Sequence, residues 1–172
     1  MSTSKDEFFF SVIIPVYNSI STIQRCFNSL ASQSFDDFEI IFVDDGSTDG
    51  SGDFIEQNIV PRMEHRTRLF QKKNEGAGEA RNFGIDQAIG KYLVFVDSDD
   101  YVDSNFLNEL FQLFSNRDLD LVFIDIVRED AEGRFIRYEK LSDFRHLNKR
   151  EFLNLQDHHN HHNQIKSKAM SG

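Results

Sequence analysis

Short apolar runs rich in β-branched and aromatic residues alternate along this chain with stretches whose apolar positions recur at helical spacing. Phe8 to Tyr17 reads as a first strand, ended by Pro15 and the turn-prone pair Asn18-Ser19. Ile20, Ile23, Phe27 and Leu30 then fall on one helical face. Phe38 to Val43 is apolar in nearly continuous fashion, as a strand is when both faces of its sheet are covered. Asp44-Asp45-Gly46-Ser47-Thr48-Asp49-Gly50 is a loop by composition, and a short helix is expected from about Ser51 to Val60. Arg68 to Gln71 reads as a short third strand. The helix expected over Gly78 to Ile89 carries Ala80, Gly84 and Ala88 as a stripe of small residues, which lets a helix lie close on a sheet. Tyr92 to Val96 is a fourth strand. Asp103 or Ser104 can cap the next helix, whose inner face is Phe106, Leu107, Leu110, Phe111 and Phe114. Leu119 to Val127 reads as a fifth strand. The alternation predicts an α/β domain with a Rossmann-like, mostly parallel sheet and helices on both faces.

Beyond Arg128 the pattern weakens. Arg134 to Tyr138 reads as an edge strand and Lys149 to Leu155 as a short helix, which puts one domain at 1–155. Residues 156–172 form a polar, His- and Asn-rich tail. Within it His158 and His162 share a helical face, but no ordered Cys or carboxylate accompanies them, so a solvated tail is the better reading than a metal site.

Composition narrows the class. The 172 residues are 39% apolar and 28% charged, with two prolines and nine glycines, which is enough apolar mass for one core. Eighteen Phe and no Trp make that core Phe-rich. A formal net charge of -10 with no basic stripe argues against nucleic-acid binding. The single cysteine, Cys26, cannot form an internal disulfide and reads as structural; with a polar N-terminus unlike a signal peptide, it points to the cytoplasm, with peripheral membrane association left open.

Candidate chemistry lies at the carboxyl ends of the strands, where ligands bind in open α/β sheets. The first strand ends in Pro15-Val16-Tyr17-Asn18, the second in Asp44-Asp45-Gly46-Ser47, the fourth in Asp97-Ser98-Asp99-Asp100. Turn and capping chemistry would account for one such acidic cluster. Two on one rim are costly unless a cation or hydrogen-bond donor joins them. Asp97 and Asp99, two residues apart at a strand end, can both turn toward one Mg²⁺ or Mn²⁺, cations that share their shell with substrate phosphates. No Walker loop and no Gly-x-Gly-x-x-Gly occurs. Lys72-Lys73 is better read as a solvated pair than as a phosphate contact.

These blocks are similar to those of the family 2 glycosyltransferases of the GT-A fold. Ser11-Val12-Ile13-Ile14-Pro15-Val16-Tyr17-Asn18 resembles that family's opening strand. Gln33 with Phe38 to Asp49 resembles its second block, Asn74 to Gly84 its third, and Asp97-Ser98-Asp99-Asp100 its metal-binding block. The resemblance covers roughly Phe8 to Val127, and it implies a nucleotide-sugar-binding domain. By it, Pro15, Val16 and Tyr17 line the nucleobase pocket, and one of Asp44 and Asp45 bonds the uracil ring. Arg81 helps hold the nucleotide, Asp97 lies near ribose and metal, and Asp99 ligates Mn²⁺ or Mg²⁺ on the diphosphate.

The implied activity is inverting transfer of a hexosyl or N-acetylhexosaminyl group from a UDP-sugar to a glycan, polysaccharide or lipid-linked acceptor, as in cell-envelope polysaccharide biosynthesis. The family's general base usually lies well beyond the fifth strand. Asp143 and Asp157 are the weak candidates here, and the chain reads as a C-terminally truncated donor-binding half. Two rivals have partial support. Val43-Asp44-Asp45 also resembles a phospho-receiver module with Asp97 as phosphoacceptor, but that module starts with the acidic strand and ends its fifth strand in Lys, where this chain has Ile124-Asp125-Ile126-Val127. Val96-Asp97-Ser98-Asp99 also resembles an Asp-nucleophile phosphatase signature, which normally opens the fold and has Thr or Val where Tyr101 stands.

Overall fold

A computed structural model describes residues 8–116, 119–122, 127–129 and 135–137. The chain divides into two compact units, Met1–Asp118 and Leu119–Gly172. In the first, the elements run β1 (Phe8–Val16), α1 (Ile23–Ala31), β2 (Phe38–Asp44), α2 (Ser51–Phe54), β3 (Thr67–Gln71), α3 (Ala77–Gln87), β4 (Gly90–Phe95) and α4 (Phe106–Asn116). A π-helical turn, Ile55–Ile59, and a 3-10 turn, Val60–Arg62, prolong α2, so the expected Ser51–Val60 helix is present but irregular.

The four strands form one parallel sheet in the order β3-β2-β1-β4. The two central strands explain the continuous apolar runs, since every residue of β2 and all of β1 from Phe10 onward are buried. Side chains alternate between the two faces of the sheet. Ile13, Ile41 and Val43 meet Ala80 of α3, with Phe70, Phe83 and Ala88 packed around them. Alternation sends Val12, Ile14, Ile40 and Phe42 to the other face, where they too are fully buried. On the helical side α1 buries Ile23, Phe27 and Leu30, and the turns after α2 bury Ile55 and Ile59.

The small-residue stripe on α3 has the consequence expected of it. A Cβ on Gly84 would lie 2.5 Å from Ile13 Cγ2, so only glycine lets the helix approach β1 this closely. At the amino ends of the strands a buried polar network ties the sheet to the end of α3. Glu39 accepts from Ser11 Oγ at 2.6 Å and from the Ile89 amide at 2.9 Å, while Arg68 donates to it at 2.6 Å and 3.1 Å. Arg68 also donates to the Gln87 carbonyl at 2.6 Å, which fixes where α3 stops. The Phe-rich composition gathers beside these strands, where Phe9, Phe10, Phe35 and Tyr92 meet Phe111 and Phe114 of α4.

The fifth strand differs from expectation. Residues 119–122 are not extended into a strand, and 123–126 lie outside the described residues. Strand structure instead begins at Val127: β5 (Val127–Glu129) pairs antiparallel with β6 (Phe135–Arg137), the expected edge strand. Two strand-forming segments this close in sequence close a short loop at little entropic cost, which favours the local partner. The expected Lys149–Leu155 helix and the 156–172 tail with its histidines lie outside the described residues. No helix among the described residues is long and apolar enough to cross a membrane.

Candidate functional site

Three loops leave the carboxyl ends of β1, β2 and β4, and hydrogen bonds lace them together. Asn18, in the left-handed conformation at φ 51°, accepts from the Thr48 amide at 2.9 Å, and its own amide donates to Ser47 Oγ at 3.0 Å. Asn tolerates that backbone region because its short polar side chain bonds locally. Asp49 accepts from the Ile20 amide at 3.0 Å and from Ser51 Oγ at 2.6 Å, and Ser51 Oγ accepts from the Ser19 amide at 2.8 Å. Burial opposes the charge of Asp49, but these donors outweigh it and hold the carboxyl below its usual pKa. Ser19 Oγ lies 2.7 Å from Ser98 Oγ, which brings the β4 loop into the same network.

Asp45 is the most heavily bonded acid of the rim. Its carboxylate accepts from Lys72 Nζ at 2.9 Å, from the Gly76 amide at 2.7 Å and from the Glu75 amide at 3.0 Å and 3.2 Å. Burial alone would raise its pKa; the ammonium and the two amides reverse that and lower it. Lys72 is correspondingly raised, by Glu75 first and then by Asp45. The neighbouring Asp44 turns elsewhere. It accepts from the Ser47 amide at 3.0 Å, and a side chain on Gly52 would strike its Oδ2.

The Asp97-Ser98-Asp99 turn is held from α1. Cys26 Sγ donates to the Asp97 carbonyl at 3.7 Å and Arg25 to the Asp99 carbonyl at 3.1 Å, with the Arg25 guanidinium also lying over the Tyr101 ring. Farther along the same helix Ser29 Oγ accepts from the Val102 amide at 3.2 Å. Gln33 donates to the Asp103 carbonyl at 2.6 Å and accepts from the Leu107 amide at 2.9 Å, so it caps α4 jointly with Asp103. Burial, with the charges of Asp100, Asp99 and Asp97 behind it, pushes the Cys26 thiol up to about 12.

Between these loops lies an open cleft of about 540 Å³. Pro15, Val16 and Tyr17 line it from β1, Asp45, Asn74 and Gly76 from the β2 and β3 side, and Arg81, Asp97 and Asp99 from the β4 side. Arg81 crosses to Asp97 at 2.5 Å. The lining therefore holds three carboxylates against one guanidinium. Lys72, behind the lining, offsets Asp45, and a divalent cation at the β4 end would further favour an anionic ligand. Among the described residues no cluster of three or more His, Cys, Asp or Glu side chains stands ready to hold a metal ion by itself. Asp97 and Asp99 are hard oxygen donors of the kind Mg²⁺ and Mn²⁺ take together with phosphate oxygens and water. By chemistry the two carboxylates fit such a cation.

Of the eight residues singled out for nucleotide or metal, seven line the cleft: Pro15, Val16, Tyr17, Asp45, Arg81, Asp97 and Asp99. Asp44 does not line it and instead braces its own loop. Asp143 and Asp157 lie outside the described residues. Asn74, Gly76 and Ala77 line the cleft without having been singled out, although they sit inside the block that carried the resemblance. Lys72 corrects its reading as a solvated lysine, since its side chain is only 14% exposed and paired to Asp45 and Glu75.

Comparison with known proteins places this arrangement. The family model described as glycosyl transferase family 2 matches residues 11–171. The glycosyltransferase GlyG of Streptococcus pneumoniae is 36% identical over 136 residues, covering 78% of this chain and 44% of GlyG. GlyA of the same organism is 32% identical over 141 residues, covering 77% of this chain and 20% of GlyA. The crystal structure of Staphylococcus aureus TarS residues 1–349 in complex with UDP-GlcNAc superposes with a TM-score of 0.57 at 38% identity, over 62% of this chain and 31% of that one. The mannosyltransferase PcManGT of Pyrobaculum calidifontis, at 23% identity and a TM-score of 0.52 over 55% of this chain and 28% of its own, shares the fold. The chain spans less than half the length of these relatives. Its α/β architecture is thus that of the GT-A glycosyltransferases, and by the family match over almost its whole length the chain belongs to glycosyltransferase family 2.

Proposed function

We propose that this chain binds a UDP-sugar in the 540 Å³ cleft together with Mn²⁺ or Mg²⁺. The protein of which it forms the donor-binding part then transfers the sugar, with inversion, to a glycan, polysaccharide or lipid-linked acceptor. The observation that carries the donor reading is the layout of the rim. Asp45 and Asn74 lie at the β2 and β3 end of the cleft, and Asp97 and Asp99 at the β4 end. Asp45 leaves β2 and Asp97 follows β4, and with β1 between them the two ends stand about 10 Å apart by strand spacing. That suits a nucleoside at one end and a diphosphate at the other.

Asp99 and Asp97 are the residues that would hold the metal, whose charge would offset that of the diphosphate leaving group. The remaining work falls to the chain itself. Arg81 engages Asp97 through one nitrogen and keeps other N–H donors for the nucleotide. The start of α3 at Gly76 and Ala77 faces the cleft, where a helix N-terminus favours negative charge. Tyr17, 53% exposed, offers an aromatic face to base or sugar. Asp45, already accepting from Lys72 and two amides, shapes the nucleoside end. The UDP-GlcNAc in the TarS complex supports uridine over other bases. For the general base the candidates are Asp143 and Asp157.

The test is a calorimetric screen of UDP-, GDP- and ADP-sugars with and without Mn²⁺. Saturable, Mn²⁺-enhanced binding of a UDP-sugar is expected. Flat traces for every donor would overturn the reading.

A further inference from the structure

Lys72 and Lys73 follow β3 side by side, yet their fates differ. Lys73 is exposed, whereas Lys72 Nζ donates to Asp45 Oδ1 at 2.9 Å, to Glu75 Oε2 at 2.6 Å and to the Lys73 carbonyl at 3.0 Å. These three acceptors match the three donors of an ammonium. The Lys72 amide donates to the Asp44 carbonyl at 2.9 Å. Asp45 in turn accepts from the Glu75 and Gly76 amides, so residues 72–76 close on themselves and on the exit of β2. Gly46, at φ +76°, backs this closed turn, since a Cβ there would lie 2.9 Å from the Asn74 amide nitrogen. Asp45, Asn74 and Gly76 all line the cleft; Lys72 does not.

We propose that Lys72 is a positioning residue for the nucleoside end of the donor site. Without touching the ligand it holds Asp45 and the 74–76 turn together as one wall. The inference rests on the donor reading given above. The physical ground is the cost of a buried carboxylate. With Lys72 removed, Asp45 keeps only its two amide donors and loses its opposite charge. A buried carboxylate left without its ion partner either takes a proton or turns toward water. Either change releases the Glu75 and Gly76 amides and loosens the wall. The Asp97–Asp99 turn is held from α1, and its tie to α3 through Arg81 lies more than a turn past Gly76, so it changes less than the wall does.

The experiment titrates UMP and UDP, with and without Mn²⁺, into wild type, Lys72→Met and Lys73→Met, after circular dichroism has shown each to be folded. Lys72→Met is expected to weaken UMP and UDP by the same factor, about tenfold, equivalent to about 1.4 kcal/mol. The gain in UDP affinity produced by Mn²⁺ keeps its wild-type size. Lys73→Met, which removes the exposed neighbouring ammonium and leaves the Lys72–Asp45 pair in place, stays within about twofold of wild type. A loss of folded fraction would also lower all affinities by one factor, so urea midpoints must show each variant fully folded under the assay conditions before the affinities are compared. If Lys72→Met does not fold, Lys72→Arg carries the test: its planar fork cannot aim three donors from one point, and a loss of about threefold on UMP is expected. Wild-type UMP affinity in the folded variant overturns the proposal, as does loss of the Mn²⁺ gain with UMP binding intact. Wild type that binds neither UMP nor UDP overturns the donor reading itself.

Discussion

Gly84→Ala sets two effects of known size against each other at the contact between α3 and β1. In an exposed helix the exchange stabilises by about 0.8–1.0 kcal/mol, because glycine is a poor helix former. At Gly84 the added carbon would lie 2.5 Å from Ile13 Cγ2 and 3.4 Å from Val43 Cγ2. Carbon atoms are at ease at about 3.5–4.0 Å, so the first contact is short by about 1 Å. Ile13 cannot give way cheaply. Its Cγ2 hangs directly on a stiff, β-branched Cβ, and the side chain is fully buried against Ile41, Val43 and Ala80. Relief must come from α3 moving outward, and overpacking of this kind costs about 1–3 kcal/mol. The upper part of that range applies, which leaves a net loss of about 1–2 kcal/mol after the propensity gain. Gly78→Ala is the control, since nothing lies within 4 Å of a Cβ there; it should gain up to about 1 kcal/mol. Urea unfolding followed by circular dichroism compares the two midpoints. The two variants should move in opposite directions. A Gly84→Ala midpoint at or above wild type would refute the packing argument. Because α3 also carries Arg81, weaker UDP binding should accompany the loss.

Three further outcomes are expected. Asp99→Asn should abolish the Mn²⁺-dependent gain in UDP affinity while leaving apo thermal stability unchanged or slightly raised, since one like charge leaves a crowded rim; a retained gain in calorimetry would exclude Asp99 as a ligand. Asp45 and Asp49 have folded pKa values lowered below the ordinary carboxylate value, so their contribution is complete above about pH 4 and is lost as pH falls through the folded values. Urea midpoints should therefore fall steeply below about pH 4, and less steeply in Asp49→Asn, whose stability at neutral pH is already lower; parallel acid limbs would count against it. Cys26, fully buried with its thiol pushed up to about 12, should resist iodoacetamide at pH 8 in the folded protein and react in urea, as mass spectrometry would record; rapid labelling of folded protein would contradict this.

The sheet was legible because its central strands are buried on both faces and so leave mostly apolar runs at Phe8–Val16 and Phe38–Val43, interrupted by Ser11 and Glu39. The stripe of Ala80, Gly84 and Ala88 likewise carries its meaning in its spacing. What sequence could not separate was Asp44 from Asp45. Adjacent residues at a strand end point to opposite sides, and which one faces the cleft depends on register rather than on residue type. Lys72 was illegible for a related reason. Its partner Asp45 is 27 positions away, and a lysine pair after a strand looks the same whether solvated or buried. The segment around Val127 has strand-forming residues, but propensity does not name a partner, and the pairing it adopts is the local one with Phe135–Arg137.

The central claim is that a nucleotide-sugar sits at the carboxyl ends of β1, β2 and β4. Backbone amide chemical-shift mapping by nuclear magnetic resonance, with UDP-GlcNAc titrated in the presence of Mg²⁺, tests it most directly. Saturable shifts are expected at Val16 to Ser19, Asp45, Asn74 to Arg81 and Asp97 to Asp99. Shifts gathered instead around the groove that Phe27, Gln33, Arg62 and Arg66 line beside α1, or no saturable shift with any nucleotide-sugar, would contradict it.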